Sequence, residues 1–278
     1  MIAGLALALT RVVQVRGVQR TLYGLCSAAM LLAIALTNSR GGLLALLAMV
    51  IGAVVTFSRN KPRAMAAALA VAGLLLVVAP GRMKNFDSKE ESANSRFLFW
   101  KEGIIQLRAH PITGVGYLRF PDVNSGFVAH NSFVHCFAEL GLPGFFFFMG
   151  TIFYAFKRPD SMASPRLRGK AAGIRAGKDG YEVIRESGAI SQPPVPRDLI
   201  GARLAIMGYL AACFWITRTY TPVLYVFLSL PVAQQVAASG TAALNYGKLG
   251  DRMRNLGIIG GLCLALFVVV CLLVWKNS

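Results

Sequence analysis

Arg40 stands in a segment whose residues suit the binding of an anion. It follows Ser39 and precedes Gly41 and Gly42, directly before a long apolar run. Glycines let a ligand approach the backbone closely, and N–H groups at the start of a helix attract anions. The segment is therefore a candidate anion site, against the simpler alternative of an arginine that snorkels to the membrane interface.

Arg96 and His130 are the next candidates along the chain. Arg96 lies at the start of a predicted helix, and His130 lies in the run Ala129-His130-Asn131. His130 directly precedes the predicted helix 131–156, and its imidazole titrates near neutral pH. For Arg96 the alternative is a solvated charge at a helix end. The segment His110–Tyr117 contains Gly114 and Gly116 and predicts a sharp turn, with turn formation alone as its simplest role.

Glu139 is an acidic residue inside a long apolar run. Asn131, His135 and Glu139 are spaced four apart and share one helical face. An unpaired charge within the bilayer costs at least about 2.5 kcal/mol, so Glu139 should face the bundle interior with a partner or a proton. Pro143 clashes with the carbonyl of Glu139, and with Gly141 beside it we expect a kink there. A purely structural polar contact between helices is the alternative for this pair of His135 and Glu139.

The composition requires a membrane environment for these residues. Hydrophobic residues make up 55% of the 278, and the mean hydropathy is +0.57. The 29 Lys and Arg far exceed the 12 Asp and Glu, but they cluster in short segments between apolar runs. That is the positive-inside pattern of membrane proteins. No basic groove with interleaved aromatic residues appears, so we predict no nucleic-acid partner.

The apolar runs predict an all-α, polytopic bundle with about seven crossings. They lie at 21–38, 42–57, 64–80, 131–156, 204–217, 221–238 and 256–275. The first ten residues lack the features of a signal peptide and are too short to span, so they predict a partial helix. We therefore expect either the C-terminal part of a longer protein or a late start codon.

Charge assigns a side to each connecting segment. The basic segments 11–20, 58–63, 157–203 and 239–255 are predicted to be cytoplasmic, and 81–130 to be periplasmic. The chain then divides into N-terminal transmembrane helices (1–80), a periplasmic loop (81–130), a transmembrane helix (131–156), a mobile basic loop (157–203) and C-terminal transmembrane helices (204–278). Within the periplasmic loop, residues 95–109 predict an amphipathic helix, capped by Asn94 or Ser95 and stopped by Pro111, that lies flat at the headgroups.

The order of these motifs resembles the superfamily of O-antigen ligases and O-antigen polymerases. The resemblance covers about residues 20–156 and combines Ser39–Gly42, Asp87-Ser88, Ser95-Arg96, Trp100, His110–Gly116, Ala129–Phe133 and Glu139–Gly144. Each motif is weak alone, but their order and the consistent topology are fairly specific. Members usually have more crossings than this chain, and the missing ones would precede residue 20.

The resemblance implies a glycosyltransferase of the bacterial inner membrane that acts in lipopolysaccharide biosynthesis at its periplasmic face. Its donor would be a glycan on undecaprenyl diphosphate. Its acceptor would be lipid A-core in a ligase, another lipid-linked glycan in a polymerase, or a protein hydroxyl in an oligosaccharyltransferase. Arg40 and Arg96 would hold the diphosphate, and His130 would act on the acceptor hydroxyl.

The remaining site predictions concern the neighbours of these three residues and the cofactor. Substrate-binding residues would be Ser39, Gly41, Gly42, Gly114, Gly116, Asn131 and Glu139. No Asp-x-Asp motif occurs in the periplasmic loop, so we expect no metal and no other cofactor, with arginines in place of the cation. The partners would be the donor, the acceptor and membrane lipids.

Two other function classes stay open. A transporter or lipid-carrier flippase also has polar groups and glycine-broken helices inside a bundle. It would use a charge within the membrane, as at Glu139, rather than groups at the outer rim. An inactive fragment of a longer ligase-like protein is the third alternative.

Overall fold

A computed structural model describes residues 1–37, 39–57, 91–157, 174–177, 180–183, 197–239 and 249–277, with isolated positions between 60 and 70. The helices in these ranges are α1 (Ile2–Gln14), α2 (Val18–Leu36), α3 (Arg40–Phe57), α4 (Glu91–Ala109), α5 (Phe120–Val123), α6 (Ser132–Phe156), α7 (Arg197–Cys213), α8 (Pro222–Ser239) and α9 (Leu249–Lys276). Two short strands, β1 (Ile174–Gly177) and β2 (Gly180–Val183), lie between α6 and α7.

The helices pack in two groups that meet along α7 and α8. In the first group α1 and α3 pack against α7 around Leu5, Met49 and Leu204. In the second group α4, α6, α8 and α9 surround a core that includes the fully buried Trp100. Tyr209 of α7 and Phe227 of α8 border both cores. The two groups therefore form one continuous helical bundle.

Three of the described helices are long and apolar enough to cross a membrane: Val18–Leu36, Ser132–Phe156 and Gly250–Lys276. Four shorter apolar helices accompany them, at Ile2–Gln14, Gly41–Val54, Leu199–Cys213 and Pro222–Gln234. The helical membrane fold is thus confirmed, whereas the number of seven crossings stays a prediction. The predicted crossing at 64–80 lies outside the described residues apart from isolated positions. The run predicted at 204–217 ends earlier as a helix, because α7 stops at Cys213 and a turn follows.

The strands depart from the all-α prediction in the basic loop. β1 and β2 pair antiparallel, with Gly177 opposite Gly180. The expectation of an irregular loop is wrong for these eight residues.

Helix α4 forms where its amphipathic pattern predicted, and its position relative to the headgroups stays a prediction. It begins at Glu91 rather than after Asn94 or Ser95, and it ends at Ala109, two residues before Pro111. Its apolar face is buried at Trp100, Ile104 and Leu107, as expected. That face packs against α6 and α9.

A glycine allows this close packing of α4 on α6. A Cβ on Gly103 would lie 2.5 Å from a methyl of Val134, so only a glycine lets the two helices approach this closely. Protein rather than lipid thus covers the buried part of the apolar face.

The predicted kink of α6 is present, and it is a complete break of the helix at Gly141. Gly141 has φ 66° and ψ −170°, a conformation that favours glycine. The N–H of Leu142 leaves the helix and donates to the carbonyl of Pro111 at 2.8 Å. Pro143 has no N–H to donate. Two carbonyls one turn earlier, those of Ala138 and Glu139, consequently lose their helical donors.

The turn after α4 supplies those missing donors. The N–H of Val115 donates to the Ala138 carbonyl at 2.9 Å, and the N–H of Gly116 donates to the Glu139 carbonyl at 3.0 Å. Gly114 adopts φ 63° so that this backbone can lie against α6. Buried backbone groups are costly when unpaired, so the broken helix and the turn stabilise each other.

Arg11 lies at one end of the bundle, and the candidate site residues lie at the other. Thr10 of α1 contacts Gly201 near the start of α7, and Arg11 shares a cavity with Gly201 and Gln234. At the opposite end, Ser132 at the start of α6 bonds to the turn that follows α7. This arrangement agrees with the sidedness inferred from charge.

We expect Gly141→Ala to destabilise the protein. A Cβ at this position would overlap the carbonyl of Ile112, and the backbone has positive φ. A strained residue of this kind costs about 1–3 kcal/mol, so the thermal unfolding midpoint in detergent should fall clearly. Gly257→Ala is the matched control, because a Cβ there meets nothing within 4 Å and α9 is helical at that point. Equal unfolding midpoints for the Gly141→Ala variant and the wild type would contradict the mutual stabilisation of the broken α6 and the turn after α4, which we call the interlock.

Candidate functional site

His130 sits in an unusual backbone conformation at the start of α6. Its φ is 50°, a left-handed conformation that histidine tolerates better than most residues. The next residue, Asn131, caps the helix by accepting from the N–H groups of Phe133 (2.9 Å) and Val134 (3.2 Å). The buried Nδ2 of Asn131 has no hydrogen-bond partner among the described residues. The cap fixes where α6 begins and so where the imidazole is held.

Helix α4 contacts the residue that precedes His130. The indole Nε1 of Trp100 donates to the carbonyl of Ala129 at 2.9 Å, and both residues are fully buried. Phe99 lies beside His130, with ring centroids 6.3 Å apart. His130 is therefore positioned by one bond from α4 and by the cap of α6.

Arg96, one turn before Trp100, acts electrostatically on His130. Partial burial of the imidazole lowers the pKa of His130 below its usual value, and the positive charge of Arg96 lowers it further. Both causes disfavour the charged form of the imidazole. The structure thus brings two of the three predicted catalytic residues together and favours a neutral His130 at physiological pH.

Ser39, Gly41 and Gly42 form the first turn of α3. The hydroxyl of Ser39 accepts from the N–H of Gly42 at 3.2 Å, as a helix cap does. The expectation that both glycine N–H groups are free for an anion is therefore wrong for Gly42. Arg40 is the first residue of α3, and its side chain lies outside the described part of the structure.

The segment around Arg40 belongs to the same end of the bundle as His130. Trp215 links the two regions: a Cβ on Gly41 would lie 3.5 Å from it, and its ring lies 6.0 Å from that of Trp100. A cavity of about 280 Å³ opens beside Ser39, Gly41 and Gly42, and neither Arg96 nor His130 lines it. The shared cavity expected for all three catalytic candidates is therefore not seen in the described residues.

Glu139, Gly114 and Gly116 take part in the interlock of turn and helix. The two carboxylate oxygens of Glu139 accept from the N–H groups of Leu118 and Phe120, each at 3.0 Å. His135 Nε2 lies 3.2 Å from Oε1 of the same carboxylate, and both side chains are buried.

These contacts give Glu139 a positioning role in the chain itself. A direct contact between substrate and Glu139 would require at least one of its bonds to break. Among the described residues, no group of three or more His, Cys, Asp and Glu side chains could hold a metal.

Arg218 was not among the predicted site residues. It follows α7 and lines the cavity beside Ser39, Gly41 and Gly42. Its neighbours in the turn bond to the start of α6, two residues after His130. The available signal was an arginine in a short, otherwise uncharged turn on the predicted periplasmic side.

Comparison with known proteins agrees with the resemblance found in the motifs. Residues 25–149 match the family model described as O-Antigen ligase. No curated protein and no solved structure gave a significant match. The matched range contains Arg40, Arg96, His130 and Glu139, together with helices α2 to α6 up to Met149. This segment is a little under half of the chain, and over it the protein is similar to the O-antigen ligase family.

Proposed function

We propose that this protein transfers a glycan from an undecaprenyl-diphosphate carrier to an acceptor hydroxyl. The observation that carries the proposal is the bond from Trp100, one turn after Arg96, to the carbonyl of Ala129 beside His130, within the range that matches the O-Antigen ligase family. A fixed cation beside a neutral imidazole provides the two groups that displacement of a phosphate leaving group requires. The first binds the departing anion, and the second accepts a proton.

The donor side of the reaction is assigned to the arginines. Arg40 and Arg96 hold the diphosphate, and their charge stabilises it as the bond between the sugar C1 and the phosphate oxygen breaks. The acceptor oxygen attacks C1 directly from the opposite face, so the configuration at C1 inverts. The lipid diphosphate leaves with the electron pair of the broken bond. No metal takes part in this scheme, because the guanidinium groups supply the positive charge.

The acceptor side is assigned to His130. A neutral imidazole can take the proton of the attacking hydroxyl, whereas an imidazolium cannot. Burial and the charge of Arg96 both lower the pKa of His130 and so favour the neutral form near pH 7. The cap at Asn131 and the bond from Trp100 to Ala129 hold the base in place for the acceptor.

We further propose that the end of the bundle with His130 faces the periplasm at the bacterial inner membrane. The basic end, with Arg11 near Gly201, then faces the cytoplasm in agreement with the positive-inside rule. Lipid A-core is the acceptor that we favour, which makes the protein a ligase, and a lipid-linked repeat unit is the next candidate. The transporter alternative needs a free charge at Glu139, but both of its carboxylate oxygens are engaged by the protein.

A transfer assay tests the proposal directly. The purified chain in nanodiscs should convert a lipid-diphosphate glycan and lipid A-core into product in the presence of EDTA. His130→Ala should slow turnover by about 10²–10⁴-fold, the usual contribution of a general base. His110→Ala is the matched control, because His110 is exposed and outside the proposed site, and it should leave the rate unchanged.

The acceptor that yields product distinguishes a ligase from a polymerase. Product formed with a lipid-linked glycan instead of lipid A-core would identify a polymerase. Absence of product with either acceptor, or a wild-type rate for His130→Ala, would overturn the proposed reaction. Movement of the donor across the bilayer without transfer would favour the flippase alternative.

The dependence of kcat/KM on pH tests the coupling of Arg96 to His130. Between about pH 5 and 8 the wild-type rate should rise as His130 loses its proton, and the midpoint of this rise should lie below the usual histidine pKa. Arg96→Ala removes one of the two causes of the lowered pKa, so the rising limb should move to higher pH.

Arg108→Ala serves as the control for this experiment, because Arg108 is exposed at the far end of the same helix. Arg108→Ala should leave the rising limb of the pH profile of kcat/KM at the same pH as in the wild type. The chain has only three histidines, so a histidine NMR titration gives the same pKa if turnover of Arg96→Ala is too slow. An unmoved pKa in Arg96→Ala would contradict the electrostatic coupling.

A further inference from the structure

The turn between α7 and α8 brings Arg218 to a cavity that the scheme above does not use. The cavity has a volume of about 280 Å³ and lies beside Ser39, Gly41 and Gly42. Its other walls are mainly apolar and include Ile34 and Ile216. A cavity with apolar walls and one cation suits a ligand that joins a charged group to a hydrocarbon chain.

Three hydrogen bonds fix the backbone of this turn to the start of α6. The hydroxyl of Ser132 accepts from the N–H of Arg218 at 2.7 Å and donates to the carbonyl of Ile216 at 2.8 Å. The hydroxyl of Thr219 donates to the carbonyl of Ser132, also at 2.8 Å. Because Ser132 lies two residues after His130, the same contacts hold Arg218 and His130 at a fixed separation.

The charge of Arg218 is available to a ligand. Its side chain is exposed, and in the part of the chain that the structure describes no carboxylate forms an ion pair with it. The contrast is Arg119, an exposed arginine at the same end, whose Nε lies 4.0 Å from a carboxylate oxygen of Asp122. A preplaced guanidinium without a counter-ion favours binding of an anion, and its planar fork fits phosphate oxygens.

We propose that Arg218 is a further binding residue for the diphosphate of the lipid-linked donor. The inference rests on the proposed function. The guanidinium binds phosphate oxygens at the mouth of the cavity beside Ser39, and the first isoprene units of the carrier contact its apolar walls. A volume of about 280 Å³ is close to the lower limit of ligand pockets, near 300 Å³, so it accommodates the head of the donor but not its whole lipid and glycan.

Arg218 would contact the diphosphate from a different side than Arg96. Arg96 acts on the side of the imidazole, whereas Arg218 is directed to the cavity beside α3. The turn from Ile216 to Thr219 thus joins the donor cavity to the segment that carries the proposed base. The donor is held by one set of residues and the acceptor is activated by another, across a rigid junction at Ser132.

Binding of undecaprenyl diphosphate, without a glycan, tests the inference in nanodiscs that contain the full chain. Arg218→Ala should raise the Kd by at least about tenfold, as expected when one charged hydrogen bond is lost. Arg218→Lys should recover part of the affinity, since lysine keeps the charge but not the planar fork. Arg119→Ala, the matched control, should bind like the wild type. Undecaprenol, which lacks phosphate, should bind the wild type and Arg218→Ala equally.

Kinetics with each substrate varied in turn identifies which phosphorylated lipid Arg218 contacts. Arg218→Ala should raise the KM for the donor and leave the KM for the acceptor unchanged. A raised KM for the acceptor alone, or an unchanged Kd for undecaprenyl diphosphate, would overturn the assignment of Arg218. If the wild type binds undecaprenyl diphosphate no more tightly than undecaprenol, the proposed function itself fails. The two failures are therefore distinguishable.

Discussion

The broken backbone of α6 at Gly141 is the constraint on which the site depends. The break removes the helical donors of two buried carbonyls, and peptide N–H groups from the turn after α4 replace them. The replacement works only because Gly114 and Gly141 both adopt positive φ and have no side chain between the two backbones. A polar turn is thereby held against an apolar helix without unpaired backbone groups. The cost of leaving any of these groups unpaired explains why the arrangement is stable.

This interlock fixes α4 relative to α6 and so determines the geometry around His130. The carboxylate of Glu139 adds two hydrogen bonds to this interlock, which it accepts from the N–H groups of Leu118 and Phe120. At its other end, α4 holds the segment before α6 through Trp100 and brings Arg96 toward the imidazole. A buried carboxylate thus serves as an acceptor for peptide N–H groups.

A second junction at Ser132 ties the C-terminal half of the bundle to the same site. Its hydroxyl and carbonyl bond to the turn after α7, which carries Arg218. The proposed base is therefore supported by two separate parts of the chain, one on each side of α6. Both supports are hydrogen bonds between short polar segments in an otherwise apolar bundle, where such bonds are difficult to replace with water.

The sequence by itself determined the helical membrane class, the break near Pro143 and the resemblance to the O-antigen ligase family, because apolar periodicity, proline chemistry and motif order are local properties. It also identified Arg96 and His130 as candidates. Only the tertiary structure decided that α4 packs on protein, that Glu139 binds backbone N–H groups, and that Arg218 reaches the cavity beside Ser39. Each of these depends on contacts between distant parts of the chain, such as the bond between Ser132 and Arg218 across 86 positions. Local spacing carries no information about such pairs, since packing in three dimensions decides which buried polar groups meet.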